Sequence, residues 1–506
     1  MIDYSKIEQW YSKYFEIITV EQVQSWITYD PKHPILFNTG LFLGLFLLFY
    51  PIYILTTKSK TFTLRNIYVF AFSLFFYYKS SGLYFCLLLF SGVVDYNIAK
   101  LLHNEVKQGF RKFYLVLSVI LNLAFLGYFK YTNFVLDNYN LLTNNNLDFQ
   151  KIILPVGISF YTFQSMSYII DIYRKELQPT KNVLDYMFFV SFFPQLVAGP
   201  IVRASEFLPQ IYKKITLDKT DVNHALFLII GGLIKKTFIS DYISLNFVDR
   251  VFDAPKLYSS FENLMATYGY TIQIYCDFSG YSDMAIGIAL LMGFKLSINF
   301  KTPYKSASIT EFWRRWHISL STWLRDYLYI SLGGNRRGKF RTYVNLFLTM
   351  LLGGLWHGAS WKFIIWGVLH GLALVVERLV NSVVKLPKNI FTWIISVILT
   401  FHFVVFCWIF FRAKDFATAF ELIDKIRELQ FKPNEWWVIL QGYENVFIVM
   451  LIGYIWHFLP SKWIGGLKWT FDKMPIVVKA LILALTFWLV YATSTSGPQP
   501  FIYFQF

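Results

Sequence analysis

Long apolar runs recur along the whole chain, most of them about as long as a helix needs to be to cross the hydrocarbon core of a bilayer. The first extends from Ile35 to Leu55, and short polar or basic loops separate it from the runs that follow. Only 15% of the 506 residues are charged, against about 25% in soluble domains. A soluble fold could not cover this much apolar surface with polar side chains. We therefore expect an all-α polytopic membrane protein with about 11–13 membrane-embedded helices, some of them re-entrant, and further interfacial helices.

The chain has few candidate domain boundaries, because neither a polar linker nor an internal repeat interrupts this pattern. Residues 1–34 hold Trp10 and Trp26 among charged residues, which is typical of an interfacial segment. We interpret residues 35–506 as a single membrane domain. The loop at 56–65 contains basic residues and no acidic one, so the positive-inside rule places it in the cytoplasm and the N-terminus outside.

The net charge of +16 has three competing explanations. Nucleic-acid binding is disfavoured, because the basic residues lie in short loops between apolar runs. The bias that orients membrane helices accounts for such loops, whereas capture of a polyanionic ligand needs local support. Cys86, Cys276 and Cys407 lack the spacing of a disulfide framework, and we expect them to be small core residues. No histidine or carboxylate pattern predicts a metal site.

Residues 301–341, here called the basic block, contain nine basic and two acidic residues. Aromatic and leucine residues recur at helical spacing from 310 to 329, which predicts one helix at the cytoplasmic interface that ends at Gly333–Asn335. On charge alone, a positive-inside loop with aromatic anchors explains the block. The alternative is a phosphate-binding surface, because arginine forms forked, charge-assisted hydrogen bonds. His317 within the block and His357 shortly after it favour the alternative.

His357 has the most unusual surroundings of the eight histidines. Glycines flank it, so another backbone or a substrate could come close. In a helix that starts at Arg341 it would lie about 24 Å along the axis, deep in the membrane, where ionisable groups are functional candidates. A neutral imidazole can take a proton from a hydroxyl and return it. The alternative is a histidine that bridges two helices, and for His402 and His457 we expect bonds to backbone carbonyls.

A cluster of two acids and several hydroxyls lies between apolar flanks at 275–283. Within a membrane, such a cluster faces the protein interior or a water-filled cavity. We expect Asp277 or Asp283 to pair with an arginine of the basic block. Ser279 and Tyr281 would support the same site.

The motifs of this chain resemble those of the membrane-bound O-acyltransferase family. The resemblance is strongest at Phe312–Tyr327, Gly333–Asn335 and Leu355–Trp361, and it extends through Pro155–Tyr161, Phe193–Ile201, Tyr275–Asp283 and Phe501–Phe506. Within the family, the motifs are most similar to the branch that O-acetylates bacterial alginate, and the teichoic-acid D-alanylation branch is a more distant relative. The motifs occur in order over most of the chain.

The resemblance implies that His357 is the near-invariant active-site histidine and that His317 matches a second functional position, which is His or Asn. It also implies a cytoplasmic acyl donor, acetyl-CoA in the alginate branch, in a bacterial inner-membrane protein with no permanently bound cofactor. Members of that branch pass the acyl group to an extracytoplasmic SGNH-hydrolase-like partner, which esterifies a polysaccharide. The identity of the polysaccharide does not carry over.

Our hypothesis is acetyl transfer from a thioester to a hydroxyl. His357 would act as the base, and His317 would orient the thioester or stabilise its oxyanion. Binding of the CoA phosphates and adenine is assigned to Arg314, Arg315, Arg325, Arg336, Arg337, Trp313 and Trp316, with Asp277, Ser279, Tyr281, Trp356 and Asn335 in support. Two alternatives stay open at this point: a carrier protein as donor of an acyl or D-alanyl group, and a transporter that makes no bond.

Overall fold

The computed structural model describes residues 20–31, 34–59, 61–384, 387, 389–493 and 502, and within that part of the chain the regular structure is helical, with no strand. The all-α class is therefore confirmed. The first half contains α1 Val20–Ile27, α2 Gly40–Thr57, α3 Phe62–Ser81, α4 Phe85–Asn104, α5 Gln108–Thr143, α6 Ile158–Tyr173, α7 Val183–Ser191, α8 Phe193–Leu196 and α9 Ala204–Ile211.

The second half contains α10 Lys219–Leu233, α11 Asp249–Asp253, α12 Ser260–Leu291, α13 Ile309–Trp313, α14 Ile318–Trp323, α15 Gly338–His357, α16 Trp361–Val383, α17 Ile390–Arg412, α18 Phe416–Arg427, α19 Pro433–Gly442, α20 Glu444–Phe458, α21 Ser461–Lys473 and α22 Ile476–Thr493. Wider π-helical turns occur at Ile234–Asp241, Ser244–Val248 and Leu324–Tyr329.

Among the described residues, six helical stretches are long and apolar enough to cross a bilayer, or up to eight when each of two bent helix pairs counts as one span. The chain is therefore a multi-pass membrane protein. Helices α12 and α15 are long enough but are not among the six, because both carry many polar side chains. The larger number of membrane-embedded helices expected from sequence, which includes shorter and more polar ones, stays a prediction.

Two stretches of the sequence form shorter helices than their length suggests, and one cysteine expected in the core is exposed. The apolar run at 186–202 forms the short, buried helices α7 and α8, which cannot span a bilayer. The amphipathic stretch 413–436 forms two helices, α18 and α19, because residues 428–432 leave the helical conformation. Cys86 is exposed and only Cys276 and Cys407 are buried.

Two other expectations fall mostly on residues that the structure does not describe. Of the interfacial segment 1–34, the described part contains α1, whose Trp26 is exposed. Residues 1–19, 32 and 33 lie outside the described residues, as does the motif Phe501–Phe506 apart from Ile502.

Helices α15 and α16 form a close pair that carries His357 at its turn. The two helices meet at glycines: a Cβ on Gly354 would lie 2.3 Å from the carbonyl oxygen of Phe363 and 2.9 Å from the Cα of Gly367. Such a distance is far inside van der Waals contact, so a side chain here would push the helices apart. Gly354, three residues before His357, thus allows the backbone of α16 to come close to α15.

Candidate active site

The predicted single helix over 310–329 is broken where the second histidine lies. α13 ends at Trp313, the next four residues are not helical, and α14 starts at Ile318. His317 has φ 44° and ψ 54°, in the left-handed region. Few residues other than glycine adopt it, and histidine is among those that do so more readily. The break turns the chain inward, so that His317 is fully buried rather than at an interface.

Asn299 fixes the ring of His317. Its Oδ1 lies 3.1 Å from His317 Nδ1, and it also accepts hydrogen bonds from the backbone N–H (3.2 Å) and hydroxyl (2.9 Å) of Ser319. Because Oδ1 can only accept, Nδ1 of a neutral His317 carries the proton and Nε2 is the acceptor. Sequence reasoning missed Asn299, since nothing local distinguishes it from other loop asparagines.

His357 is the last residue of α15 and is 3% exposed. The helix of 20 residues is about 30 Å long, so His357 lies about that far from its first residue. Its depth in the membrane stays a prediction. The imidazole is enclosed by aromatic rings, with centroid distances of 5.0 Å to Trp366 and 5.4 Å to Phe411. This apolar surrounding excludes bulk water from the ring.

Trp356 lies between the two histidines. Its ring centroid is 5.1 Å from that of His357 and 6.3 Å from that of His317, and Phe160 contacts both Trp356 and His317. The inward turn before α14 thus brings together two histidines that are 40 positions apart (357 minus 317). Sequence alone left open how a residue of the basic block could meet His357.

A cleft of about 720 Å³ lies along the basic block. Its lining includes Ile318, the residue after His317, but neither histidine. Of the residues assigned to the donor from sequence, it is lined by Trp313, Arg314 and Arg325, together with Asn335. Its lining also includes Met350, which lies two turns, about 10 Å, before His357 on α15.

The cleft also includes charged residues of α16 that sequence reasoning missed. Arg378 and Glu377 both line it, and Glu377 accepts a hydrogen bond from the backbone N–H of Thr310 at 3.0 Å. Both could have been noticed in the sequence, because charged residues within an apolar run such as 360–381 are functional candidates.

Four residues assigned to the donor do not line this cleft. Trp316 is 1% exposed and packs against Trp408 at 5.0 Å, so its ring is not open to a ligand. Arg315 forms an ion pair with Glu311 at 2.6 Å. The remaining two, Arg336 and Arg337, are exposed just before α15.

A second, much smaller cavity of about 40 Å³ reaches His357 from beyond the end of α15. Its lining includes Lys130, Ser159, Trp356 and His357. Lys130 was missed from sequence, although it is the only charged residue in the apolar run 113–134. A charge in such a run is a functional candidate by default.

The cluster of α12 contacts the site through two residues: the Phe278 ring centroid is 4.6 Å from that of His317, and Ser282 accepts a hydrogen bond from the Asn299 amide at 3.2 Å. Its two acids have other partners. Asp277 forms an ion pair with Lys236 at 2.6 Å, and Asp283 pairs with Lys235. The expected pairing with an arginine of the basic block is therefore wrong, because the π-helical stretch 234–241 packs along α12 and supplies both lysines. Ser279 is buried, and the Tyr281 ring stacks on Phe37 with centroids 4.8 Å apart. Their supporting role stays a prediction.

Two other histidines have structural partners. His402 lies 2.8 Å from the carbonyl oxygen of Ile398 through Nδ1, which confirms the expected backbone bond. His457 instead accepts a hydrogen bond from the backbone N–H of Tyr304 at 3.1 Å.

The model of the membrane-bound O-acyltransferase family matches residues 106–414, a range that contains both histidines and the basic block. The chain is similar to the probable alginate O-acetylase AlgI of Pseudomonas putida, with 39% identity over 501 residues that cover 93% of this chain and 100% of that protein. It is 40% identical to the peptidoglycan O-acetyltransferase of Helicobacter pylori over 422 residues, 77% of this chain and 79% of that protein. The teichoic acid D-alanyltransferase of Bacillus subtilis is 31% identical over 278 residues, 52% of this chain and 69% of that protein.

Proposed function

Because this chain belongs to the membrane-bound O-acyltransferase family, we propose that it transfers an acetyl group from cytoplasmic acetyl-CoA toward an extracytoplasmic polysaccharide across a bacterial inner membrane. The observation that carries the proposal is the position of the histidine pair. His317 and His357 both lie beside Trp356. The narrow cavity is lined by Trp356 and His357, and the wide basic cleft is lined by Ile318, next to His317. This arrangement supports a donor that enters through the wide cleft and an acceptor that enters through the narrow cavity.

The cleft suits a long, phosphate-bearing donor. Arg314, Arg325 and Arg378 line it, and arginine binds phosphate through forked, charge-assisted hydrogen bonds. Trp313 lines the same cleft and offers a face on which adenine could stack. The thioester end of acetyl-CoA would then reach past Met350 toward the histidines.

The chemistry requires one base and no bound cofactor. His357 takes the proton of an acceptor hydroxyl, and the hydroxyl oxygen attacks the thioester carbonyl carbon. The tetrahedral intermediate collapses with cleavage of the C–S bond, which gives an acetyl ester and a thiolate. The imidazolium of His357 returns its proton to the thiolate, so that the histidine is regenerated and CoA leaves as the thiol.

His317 has a supporting role in this scheme. In its neutral form, Nδ1–H donates to Asn299, so Nε2 can accept a hydrogen bond but cannot donate one to an oxyanion. Of the two roles expected from sequence, this favours orientation of the donor, for example through an amide N–H of the pantetheine arm.

The proposed direction of transfer assigns the small cavity to the acceptor. The acetyl group would leave on the side of the small cavity and pass to an SGNH-hydrolase-like partner outside the membrane, which esterifies the polymer. One relative is named as a probable alginate O-acetylase and another as a peptidoglycan O-acetyltransferase. Both names support a polysaccharide as the final acceptor, and they do not decide which one.

A direct test uses the purified full-length protein in lipid nanodiscs with acetyl-labelled acetyl-CoA and measures release of the CoA thiol. We expect His357→Ala to lower turnover by about 10²–10⁴-fold, the typical contribution of a general base. His402→Ala is the matched control, because His402 already bonds to a backbone carbonyl within its own helix. Unchanged turnover in His357→Ala would refute the mechanism.

A second candidate donor is an acyl- or aminoacyl-carrier protein, which the similarity to a teichoic acid D-alanyltransferase supports. The two donors differ in the 3′-phosphoadenosine 5′-phosphate part of CoA, which a carrier-bound phosphopantetheine arm lacks. Free CoA that binds the wild type but not Arg314→Ala would favour acetyl-CoA. A chain that binds a loaded carrier protein and ignores free CoA would favour the carrier.

A further inference from the structure

Two consecutive side chains of α5 hold the end of α15 that carries His357. The Lys130 ammonium donates hydrogen bonds to the carbonyl oxygens of Trp356 at 2.7 Å and His357 at 2.9 Å. The Tyr131 hydroxyl donates to the carbonyl oxygen of Leu355 at 2.7 Å. The last three carbonyls of α15 therefore all have side-chain partners from one neighbouring helix.

These bonds replace the ordinary cap of a helix. The last four carbonyls of any α-helix lack partners within it, and a left-handed glycine often provides them. Here Gly358 follows in an extended conformation (φ −166°, ψ 153°), so this cap is absent at α15. A cation at a helix C-terminus also interacts favourably with the helix dipole. Lys130 supplies both the hydrogen bonds and the charge.

Lys130 also lies at the narrow cavity on the acceptor side. Its Nζ is 5.8 Å from the ring centroid of Trp356 and 3.5 Å from the Ser159 hydroxyl, and all three residues line the cavity with His357. It is not part of the basic cleft. A displaced Lys130 would therefore shift the backbone of His357 while leaving the donor cleft as it is.

We propose that Lys130 is a positioning residue for His357, and that with Tyr131 it fixes the C-terminal turn of α15 so that the imidazole meets the acceptor hydroxyl. This inference rests on the proposed function, because it assigns a geometric role toward the same base. A misplacement of about 1 Å can lower a rate by about 100-fold.

The experiment separates kcat from KM in nanodiscs with labelled acetyl-CoA. We expect Lys130→Met to lower kcat by about 10–100-fold and to leave KM for the donor within about twofold, because the donor cleft is unchanged. Tyr131→Phe should lower kcat less, since one carbonyl bond is lost. The matched control is Lys479→Met: Lys479 is also buried and also donates to a helix-end carbonyl, that of Asp472 at 3.2 Å, away from the site.

Chemical rescue distinguishes positioning from folding within one sample. Lys130→Cys is prepared with Cys86→Ala, which removes the exposed cysteine, and is treated with 2-bromoethylamine to restore an ammonium of nearly the same length. We expect kcat to rise on alkylation that mass spectrometry verifies.

Wild-type kcat in Lys130→Met, or no rise after verified alkylation, overturns the inference. The failure of the proposed function would look different. In that case His357→Ala would retain turnover, whatever Lys130→Met does.

Discussion

Two regions of the molecule hold charged side chains, and they use them differently. Between the π-helical stretch 234–241 and α12, Lys236 lies 2.6 Å from Asp277 and 2.7 Å from Asp241, with Lys236 only 1% exposed. At the cleft, by contrast, Arg314 and Arg378 are exposed and line an open volume of about 720 Å³.

The difference shows what charge does inside a membrane protein. A cation that meets carboxylates within the bundle is matched by the fold itself and joins helices. A cation that faces an open cleft keeps its hydrogen-bonding capacity for a ligand. In the sequence the two regions look alike, since both mix basic, acidic and aromatic residues, and only the partners tell them apart.

The largest effect is expected where a matched buried charge is broken. Lys236→Met leaves Asp277 and Asp241 without their cation, so we expect a loss of about 3–5 kcal/mol of stability, measured as thermal unfolding in detergent. The control is Lys256→Met, which breaks the mainly exposed ion pair with Glu421 (2.9 Å) and should change stability by about 1 kcal/mol or less. Equal effects of the two substitutions would contradict the distinction drawn between the regions.

A smaller and different effect is expected at the cleft. Arg314→Ala should raise KM for acetyl-CoA by about 10–100-fold, the value of a hydrogen bond to a charged group, without lowering the unfolding temperature. Arg427→Ala, an exposed arginine of α18, is the control and should leave KM unchanged. If Arg314→Ala lowers the unfolding temperature but leaves KM for acetyl-CoA unchanged, Arg314 stabilises the fold and does not bind the donor.

The smallest effect is expected at Asp326, an acidic residue of the basic block that forms ion pairs with Arg325 and Arg203. Burial alone would raise the pKa of Asp326, but hydrogen bonds from Arg325 and Arg203, both at 2.5 Å, hold this pKa below its ordinary value. Its stabilisation is therefore full above the ordinary carboxyl pKa, and is lost as the pH falls through the lower folded value.

Because Asp326 is partly exposed, the contribution is about 1 kcal/mol or less. We expect Asp326→Asn to unfold at a slightly lower temperature than the wild type at pH 7, with the gap narrowing by pH 3. A gap that widens on acidification would show that the ion pairs do not stabilise the block.

The helical class and the burial of His357 could be predicted because both depend on local pattern: long apolar runs, and a histidine between glycines at the end of one of them. The partner of Asp277 could not, because Lys236 is 41 positions away (277 minus 236) and either charged region could have supplied it. The hydrogen bonds from Lys130 and Tyr131 to the end of α15 join residues more than two hundred positions apart. Lys130 could have been singled out, because it is the only charged residue in the apolar run 113–134.

The break before α14 could not be predicted for another reason. Helical spacing from 310 to 329 is real in the sequence, yet Trp316 within the break and Leu320 after it pack in different hydrophobic clusters. Tertiary packing overrides a periodicity that either short helix alone could satisfy.

The left-handed backbone at position 317 limits which residues can stand there before any chemistry is considered. Asparagine, aspartate and histidine tolerate this conformation far better than β-branched residues do. That preference offers a steric reason for the histidine or asparagine that the resemblance to the family implies at this position. It also identifies a clean probe of the imidazole: His317→Asn preserves the turn that brings α14 inward, whereas His317→Val would change the path of the chain and the ring together.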